Sequence, residues 1–206
     1  MIAGFVCTAG EMNRISFVCQ QFVILAHSSS NKSADWKEGF CMPDHRLEKI
    51  TEEHLADVLR IYNHYVLNST ATFHAQALTL AEMRDLVFFT KACHQTYVLL
   101  VDERLAGYAY VGPHKNRDAY AATGEISVYL QPGFEGKGFG KLALAQIEAH
   151  AREHHFHVLL ATICSQNANS LQLFLNHGFS QCAHYRQVGR KFGRWLDVIV
   201  CQKILG

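Results

Sequence analysis

The sequence predicts a mixed α/β (α+β) fold: a twisted, largely antiparallel sheet that turns parallel at one point. Three observations carry this reading. "TYVLLVDERLAGYAYVG" (96–112) is two apolar runs around a tight polar turn, the pattern of a hairpin. "GEISVYL" (124–130) leads through a glycine loop and a helical stretch to the apolar "HVLLATI" (157–163), a strand–loop–helix–strand unit whose crossover makes two strands locally parallel. "FSQCAHYRQV" (179–188) and "RWLDVIVCQKIL" (194–205) then form a closing pair of strands.

Taken in order, "HRLEKI" (45–50) is a short strand, and Thr51 caps a helix with Glu52 and Glu53 in its first turn, where negative charge suits the dipole. Leu55, Val58, Leu59, Tyr62 and Val66 make its apolar stripe. The polar "NSTATFH" loop follows. Thr79 and Glu82 have capping-box spacing, and Leu80, Met83, Leu86 and Val87 give a second amphipathic helix. After the hairpin, whose turn falls at Asp102 to Arg104, Pro132 and Gly133 end the 124–130 strand. A helix over about 139–153 turns Leu142, Ala145 and Ala149 inward, with Glu148 and Arg152 as an exposed i,i+4 pair. "HVLLATI" reads as a central strand, and Asn167–His177 is a helix stopped by Gly178.

With 206 residues, 49% of them apolar, the chain can bury one good core and is too short for two large ones. The domain is expected over 42–206. Residues 1–41 read as a poorly ordered extension: Met12-Asn13-Arg14 before "ISFVCQQFVILA" outlines a signal peptide, but Gln20 and Gln21 split the apolar run, and it is too short to span a bilayer. Met42 sits where regular structure begins, so the extension is read as sequence upstream of a start there. A formal net charge of +1 gives no overall basic field for nucleic acid, so any anion site must be local. Seven scattered cysteines without a C-x-x-C pair suit a reducing cytosol and buried small apolar roles.

The local anion site is "FEGKGFGKLALAQIEA" (134–149), where Gly136, Gly138 and Gly140 abut the start of a helix. The G-x-G-x-G spacing lacks the acidic residue that a dinucleotide fingerprint needs on the next strand, and Gly140-Lys141-Leu142 does not satisfy a P-loop. A loop that holds a pyrophosphate on bare amides and a helix dipole remains, with Lys137 and Lys141 adding charge at its rim.

"SVYLQPGFEGKGFGKLALAQI" resembles the acetyl-coenzyme A motif of the GNAT superfamily of N-acetyltransferases, a Q/R-x-x-G-x-G/A loop matched by Glu135, Gly138 and Gly140. Glutamate stands at 135 where the family usually has glutamine or arginine. "ICSQNANSLQLFLNHGF" resembles the second motif, an asparagine before a helix ending in Gly-Phe. "IYNHYVLNSTATF", "GYAYVGPHKNRDAYAATGEISVYL" and "GRKFGRWLDVIVCQKIL" are similar in order and spacing to the phosphinothricin and methionine sulfone or sulfoximine N-acetyltransferases, a resemblance that runs from about 45 to 205.

The resemblance implies a GNAT-type sheet flanked by helices on both faces, parallel at the cofactor cleft. It implies acetyl-coenzyme A as cosubstrate, held along the pantetheine arm by Val128, Tyr129 and Leu130, at the pyrophosphate by Gly136, Lys137, Gly138, Phe139, Gly140 and Lys141, and from the neighbouring strand end by Asn167 and Ser170. The bland reading of Asn167 is a helix cap. Glu125 is the expected base that takes the proton of the acceptor amine; its bland reading is a solvent-facing strand carboxylate. A main-chain amide near Leu130 is expected to meet the oxyanion. The acceptor, an amino-acid-like α-amine of the methionine sulfone, methionine sulfoximine or phosphinothricin type, faces Lys115, Asn116 and Arg117, with Thr72 and Phe73 as pocket walls; the alternatives are another amine, such as a peptide N-terminus or a polyamine, or a noncatalytic coenzyme A sensor. The relatives often place an aromatic and an arginine where this loop reads His114-Lys115-Asn116-Arg117. Phe174 stands where relatives have tyrosine or histidine and donates no proton, so the acid for the departing thiolate is unassigned between water, Ser170 and Tyr185. The resemblance also implies a cytosolic homodimer.

Two clusters stand apart. His150 and His154 have the i,i+4 spacing of a metal pair, but with no sulfur or carboxylate seen to complete a site, a solvated helix end is the expectation, with no metal. "RQVGRKFGRW" is one short basic hairpin on a near-neutral chain, better suited to a dimer contact or a phosphate rim than to RNA.

Overall fold

The computed structural model of the chain describes residues 43–206; the expected extension over 1–41 and the start at Met42 lie outside the described residues. Strand β1 (His45–Lys49) ends at a Thr51 cap, whose hydroxyl lies 3.0 Å from His54 Nδ1. A 3₁₀ turn over Glu52–His54 leads into α1 (Leu55–Asn68). Leu55, Val58, Ile61, Tyr62 and Val66 form the buried stripe of α1, while Leu59 is half-buried. Helix α2 (Leu80–Val87) opens on the expected capping box: Glu82 N–H donates to Thr79 Oγ1 at 3.3 Å, and Thr79 N–H donates back to Glu82 Oε2 at 2.8 Å. Met83 and Val87 are its buried residues, and Leu80, expected inside, is exposed.

Strands β2 (Gln95–Val101) and β3 (Arg104–Pro113) are joined by Asp102 and Glu103, both with positive φ, the two-residue turn whose twist matches a hairpin. Next come β4 (Thr123–Leu130), α3 (Phe139–Glu153), β5 (Val158–Cys164), α4 (Ala168–Asn176), β6 (Ser180–Lys191) and β7 (Arg194–Ile204). The described sheet has seven strands in the order β1-β2-β3-β4-β5-β7-β6, antiparallel everywhere except between β4 and β5. Alternate residues of β2 go to opposite faces. Val98 and Leu100 join α1 and α2 in one core, and Tyr97 joins α3 and α4 in the other, so helices cover both sides.

Helix α3 has a different phase from the one expected. Phe139, Ala143, Leu144, Ile147, His150 and Ala151 are buried, whereas Ala145 and Ala149 are exposed and Leu142 is half-buried. Burying Leu144 and Ile147 removes far more apolar surface than burying two alanines, and that decides the rotation. Glu148 and Arg152 pair as expected at 2.9 Å, and Lys203 of β7 joins Glu148 at 2.7 Å, so the pair ties helix to sheet.

The feature that positions the site is a split in the sheet. β4 and β5 pair only through Thr123↔Val158, Gly124↔Leu159 and Glu125↔Leu160. Beyond that rung β4 stays on β3 as far as Leu130, and β5 stays on β7 as far as Cys164, so the two strands diverge. Gly124 closes the root: a Cβ there would stand 2.5 Å from Val111 Cγ2 and 3.1 Å from the Phe156 ring.

Candidate active site

The divergence opens a cleft of about 560 Å³. Residues 126–130 of β4 form one wall, Thr162 and Ile163 of β5 the other, and α4 closes it with Asn167, Ser170 and Phe174. Of the residues expected to hold the cosubstrate, Val128, Tyr129, Leu130, Gly136, Gly138, Gly140, Asn167 and Ser170 line this one cleft. Lys137 and Lys141 are exposed beside it, with Lys137 Nζ drawn over the Phe134 ring. Phe139 is different: its ring is 1% exposed and packed in the core, so only its main chain is available to a ligand.

The glycine loop fits an anion. Gly136 and Gly138 have φ of +73° and +87°, and a Cβ on either would meet nothing within 4 Å, so the backbone stands bare before open space. Gly138 is the N-cap of α3 and offers no side-chain acceptor, and the first turn holds no acidic residue. The first amides of the helix and the positive end of its dipole are therefore left for a ligand such as a diphosphate. Glu135 does not spoil this, because its carboxylate is engaged locally: Oε2 accepts from Gly133 N–H at 2.7 Å and Oε1 from the Tyr65 hydroxyl at 3.2 Å. The single hydrogen of that hydroxyl is shared with the Leu130 carbonyl, the nearer acceptor at 2.6 Å, and burial, reinforced by Glu135, raises the Tyr65 pKa. Asn167 is an N-cap, Oδ1 accepting from Ser170 N–H at 3.1 Å, and it lines the cleft as well.

Glu125 sits on the last paired rung, at the root of the split, next to Ile126 and Thr162 of the cleft wall and not itself among the lining residues. Thr162 Oγ1 donates to its Oε1 at 2.6 Å, and His114 Nδ1 lies 3.3 Å from its Oε2. Strand alternation puts Glu125 on the same face as Tyr129, whose ring packs with Tyr62, Tyr65 and Tyr108 beneath α1. The Tyr62 hydroxyl reaches Thr72 Oγ1 at 2.7 Å and His74 Nδ1 at 2.6 Å, so Thr72 is a buried partner in this network. Lys115, Asn116 and Arg117 are exposed and do not line the cleft; Lys115 Nζ lies 5.4 Å from the Tyr120 ring centre. Phe73 is 39% exposed and lies outside the cleft, its ring laid on Gly189 so closely that a Cβ there would come within 2.4 Å.

Phe174 is buried edge-to-face against Phe179 and lines the cleft without a donor. Ser170 is beside it, but Tyr185 is 52% exposed and outside. Three residues that hold the site together were missed in the sequence: Tyr65, Thr162 and His114. Their partners lie 65, 37 and 11 positions away, and no local pattern marks them.

The two remaining clusters differ from their expected settings. His150 is not solvated: it is 3% exposed, with Nε2 against the Cys93 carbonyl at 3.0 Å and Nδ1 against the Tyr97 hydroxyl at 3.2 Å. Glu153 does stand near the His150–His154 pair, within 4.8 Å, although both His150 nitrogens are already engaged. In the basic hairpin, Lys191 is 4% exposed and donates to the carbonyls of Ser69, Thr72 and Tyr65 at 2.8, 2.7 and 3.4 Å, pinning the hairpin to the end of α1.

Comparison with known proteins agrees with this geometry. Residues 47–200 match the Acetyltransferase (GNAT) domain. The chain is 39% identical over 150 residues to the L-amino acid N-acyltransferase of Escherichia coli, covering 71% of this chain and 86% of that one. It is 37% identical over 150 residues to the L-methionine sulfoximine/L-methionine sulfone acetyltransferase of Salmonella typhimurium, with the same coverage. Among solved structures, a phosphinothricin acetyltransferase of Sinorhizobium meliloti in complex with AcCoA superposes with a TM-score of 0.75 at 31% identity, over 79% of this chain and 89% of that one. A split sheet with a bare glycine loop at its mouth, found in a chain so similar to these enzymes, makes this protein a member of the GNAT family of N-acetyltransferases.

Proposed function

We propose that the protein transfers the acetyl group of acetyl-coenzyme A to the α-amine of a small amino-acid-like molecule of the methionine sulfone, methionine sulfoximine or phosphinothricin type. The observation that carries this is the continuous cleft from the glycine loop to Ile126 and Thr162 at the foot of the split, where Thr162 holds Glu125. In this reading the amides at Gly136 to Lys141 take the diphosphate. The bare edge of β4 over Val128 to Leu130 takes the pantetheine arm, and Asn167 and Ser170 face it. Tyr65 holds the Leu130 carbonyl still. Glu125 removes the proton of the amine, directly or through a water, and the freed nitrogen attacks the thioester carbonyl in a direct transfer. A main-chain amide near Leu130 meets the oxyanion, and water or Ser170 protonates the thiolate. The chemistry is acyl and proton transfer and calls for no metal.

Lys115, Asn116, Arg117 and Phe73 are the acceptor-side contacts of this reading, with the cations suited to a carboxylate or phosphinate. Their exposure supports a second reading, an acceptor larger than an amino acid such as a peptide N-terminus or a polyamine. The test for both is thiol release from acetyl-coenzyme A across amino-acid analogues, short peptides and polyamines. Turnover confined to peptides or polyamines sinks the first reading, and no turnover on any amine sinks both.

We also infer a homodimer in the cytoplasm. β6 is an edge strand with nine of its twelve residues exposed, and Tyr185, Val188, Phe192 and Trp195 stand out of the β6–β7 hairpin, an uncovered edge that soluble proteins avoid unless it is paired. No helix among the described residues is long and apolar enough to cross a membrane, and Cys93, Cys164, Cys182 and Cys201 are all unpaired. Sedimentation of the full chain as a monomer at micromolar concentration would refute the dimer.

A further inference from the structure

A base that takes a proton from each acceptor molecule must also release it, and the surroundings of Glu125 supply a route. One carboxylate oxygen is committed: Oε1 accepts the short hydrogen bond from Thr162 Oγ1 at 2.6 Å. The other, Oε2, faces His114 Nδ1 at 3.3 Å. The imidazole is held in place from outside, edge-to-face on Tyr120 with ring centres 5.6 Å apart, and the 3₁₀ turn Asp118–Tyr120 carries that ring. His114 follows directly on β3, whose last residue, Pro113, pairs with Gly124, so the imidazole stands beside Glu125 where the strand ends. Its Nε2 has no protein partner among the described residues, and the side chain is 24% exposed against 34% for Glu125. A carboxylate fixed on one side by a hydroxyl and touched on the other by an imidazole that opens to water has the parts of a two-step proton path.

We propose that His114 is a positioning residue for Glu125 that also accepts its proton and passes it to bulk water. This rests on the reading of Glu125 as the base. The steps balance. The N–H bond of the acceptor amine breaks and its proton joins Oε2, leaving the electron pair on nitrogen for attack. The Nδ1 lone pair of neutral His114 then takes that proton, which restores the carboxylate and creates an imidazolium. The imidazolium gives its Nε2 proton to water, and solvent exchange returns the starting tautomer. Thr162 keeps Oε1 out of this traffic, so Oε2 alone shuttles.

The test is steady-state thiol release by the full chain for wild type, H114A, E125Q and the double variant, with acetyl-coenzyme A and an amine that wild type accepts. Each is measured with and without added imidazole. H114A is expected to lose roughly 10- to 100-fold in kcat, less than the full worth of a general base, with the KM for acetyl-coenzyme A unchanged. Imidazole in the vacated space restores much of that loss, which a purely structural role would not allow. In the E125Q background, H114A costs nothing further, because the two act in series. H114A turning over like wild type, a loss that imidazole does not repair, or losses that multiply in the double variant would each overturn the relay while leaving the acetyltransferase reading intact. Wild type inactive on every amine overturns that reading, and the relay with it. Calorimetric binding of acetyl-coenzyme A to each variant separates a lost relay from a lost fold.

Discussion

The two sides of the cleft are built by different means. The donor side is main chain: glycines without Cβ, the first amides of α3 and an unpaired strand edge, all within residues 126–141. The other side, proposed for the acceptor, is side chain: Glu125 with His114 and Thr162, and Thr72 with Tyr62 and Lys191, two clusters whose members arrive from six segments and meet only in the fold. The backbone can present amides to any diphosphate at low entropic cost, because secondary structure has already fixed them. Placing a proton acceptor takes particular atoms, each held by a neighbour.

If the two sides are separable, variants should split their effects, and the largest belongs to the acceptor side. Glu125→Gln should lower kcat by about 100- to 10,000-fold, the usual worth of a general base, while calorimetry finds acetyl-coenzyme A affinity unchanged. Weakened donor binding in that variant would erase the distinction. Lys191→Met should cost about 1–3 kcal/mol in urea unfolding, because the carbonyls of Ser69 and Thr72 and the end of α1 lose a buried donor. It should also raise the KM for the amine more than that for the donor.

The complementary change is Gly138→Ala. Its φ of +87° is left-handed, so a Cβ brings strain of about 1–2 kcal/mol into the loop and intrudes on the open cradle. Donor affinity should fall about tenfold, with little change in kcat at saturation. The smallest effect lies at the far end of the same helix. Burial lowers the pKa of His150, so below about pH 6.5 the unfolded chain binds a proton that the folded one refuses. The stability this residue contributes is therefore full above that pH and lost as pH falls, by at most about 1.4 kcal/mol per pH unit. His150→Gln should flatten the slope of the urea midpoint between pH 7.5 and 5.5.

The same contrast explains what the sequence could reveal. The glycine loop was legible because its chemistry is local: spacing, helix start and charge all lie in one stretch. The hairpins, the capping box at Thr79 and the Asn167 cap were legible for the same reason. The phase of α3 was not, since the alanines on two faces look alike until Leu144 and Ile147 find the sheet. His150 looked like part of a wet helix end because its partners, Cys93 and Tyr97, are more than 50 residues away. Thr162 and Tyr65 carry no motif at all. Phe73 and the 115–117 loop were expected at the cleft from resemblance and stand outside it: the Phe73 ring is laid on Gly189, and the chain leaves the sheet at Pro113 and rejoins it only at Thr123.

The root of the split has a mechanical corollary. Three rungs join the two halves of the sheet, which then spread like the blades of a pair of shears. Glu125 occupies the last rung, next to the rivet, where opening the blades produces the least displacement. Were the wide end to spread around a long, floppy ligand, Glu125 would be among the residues that move least.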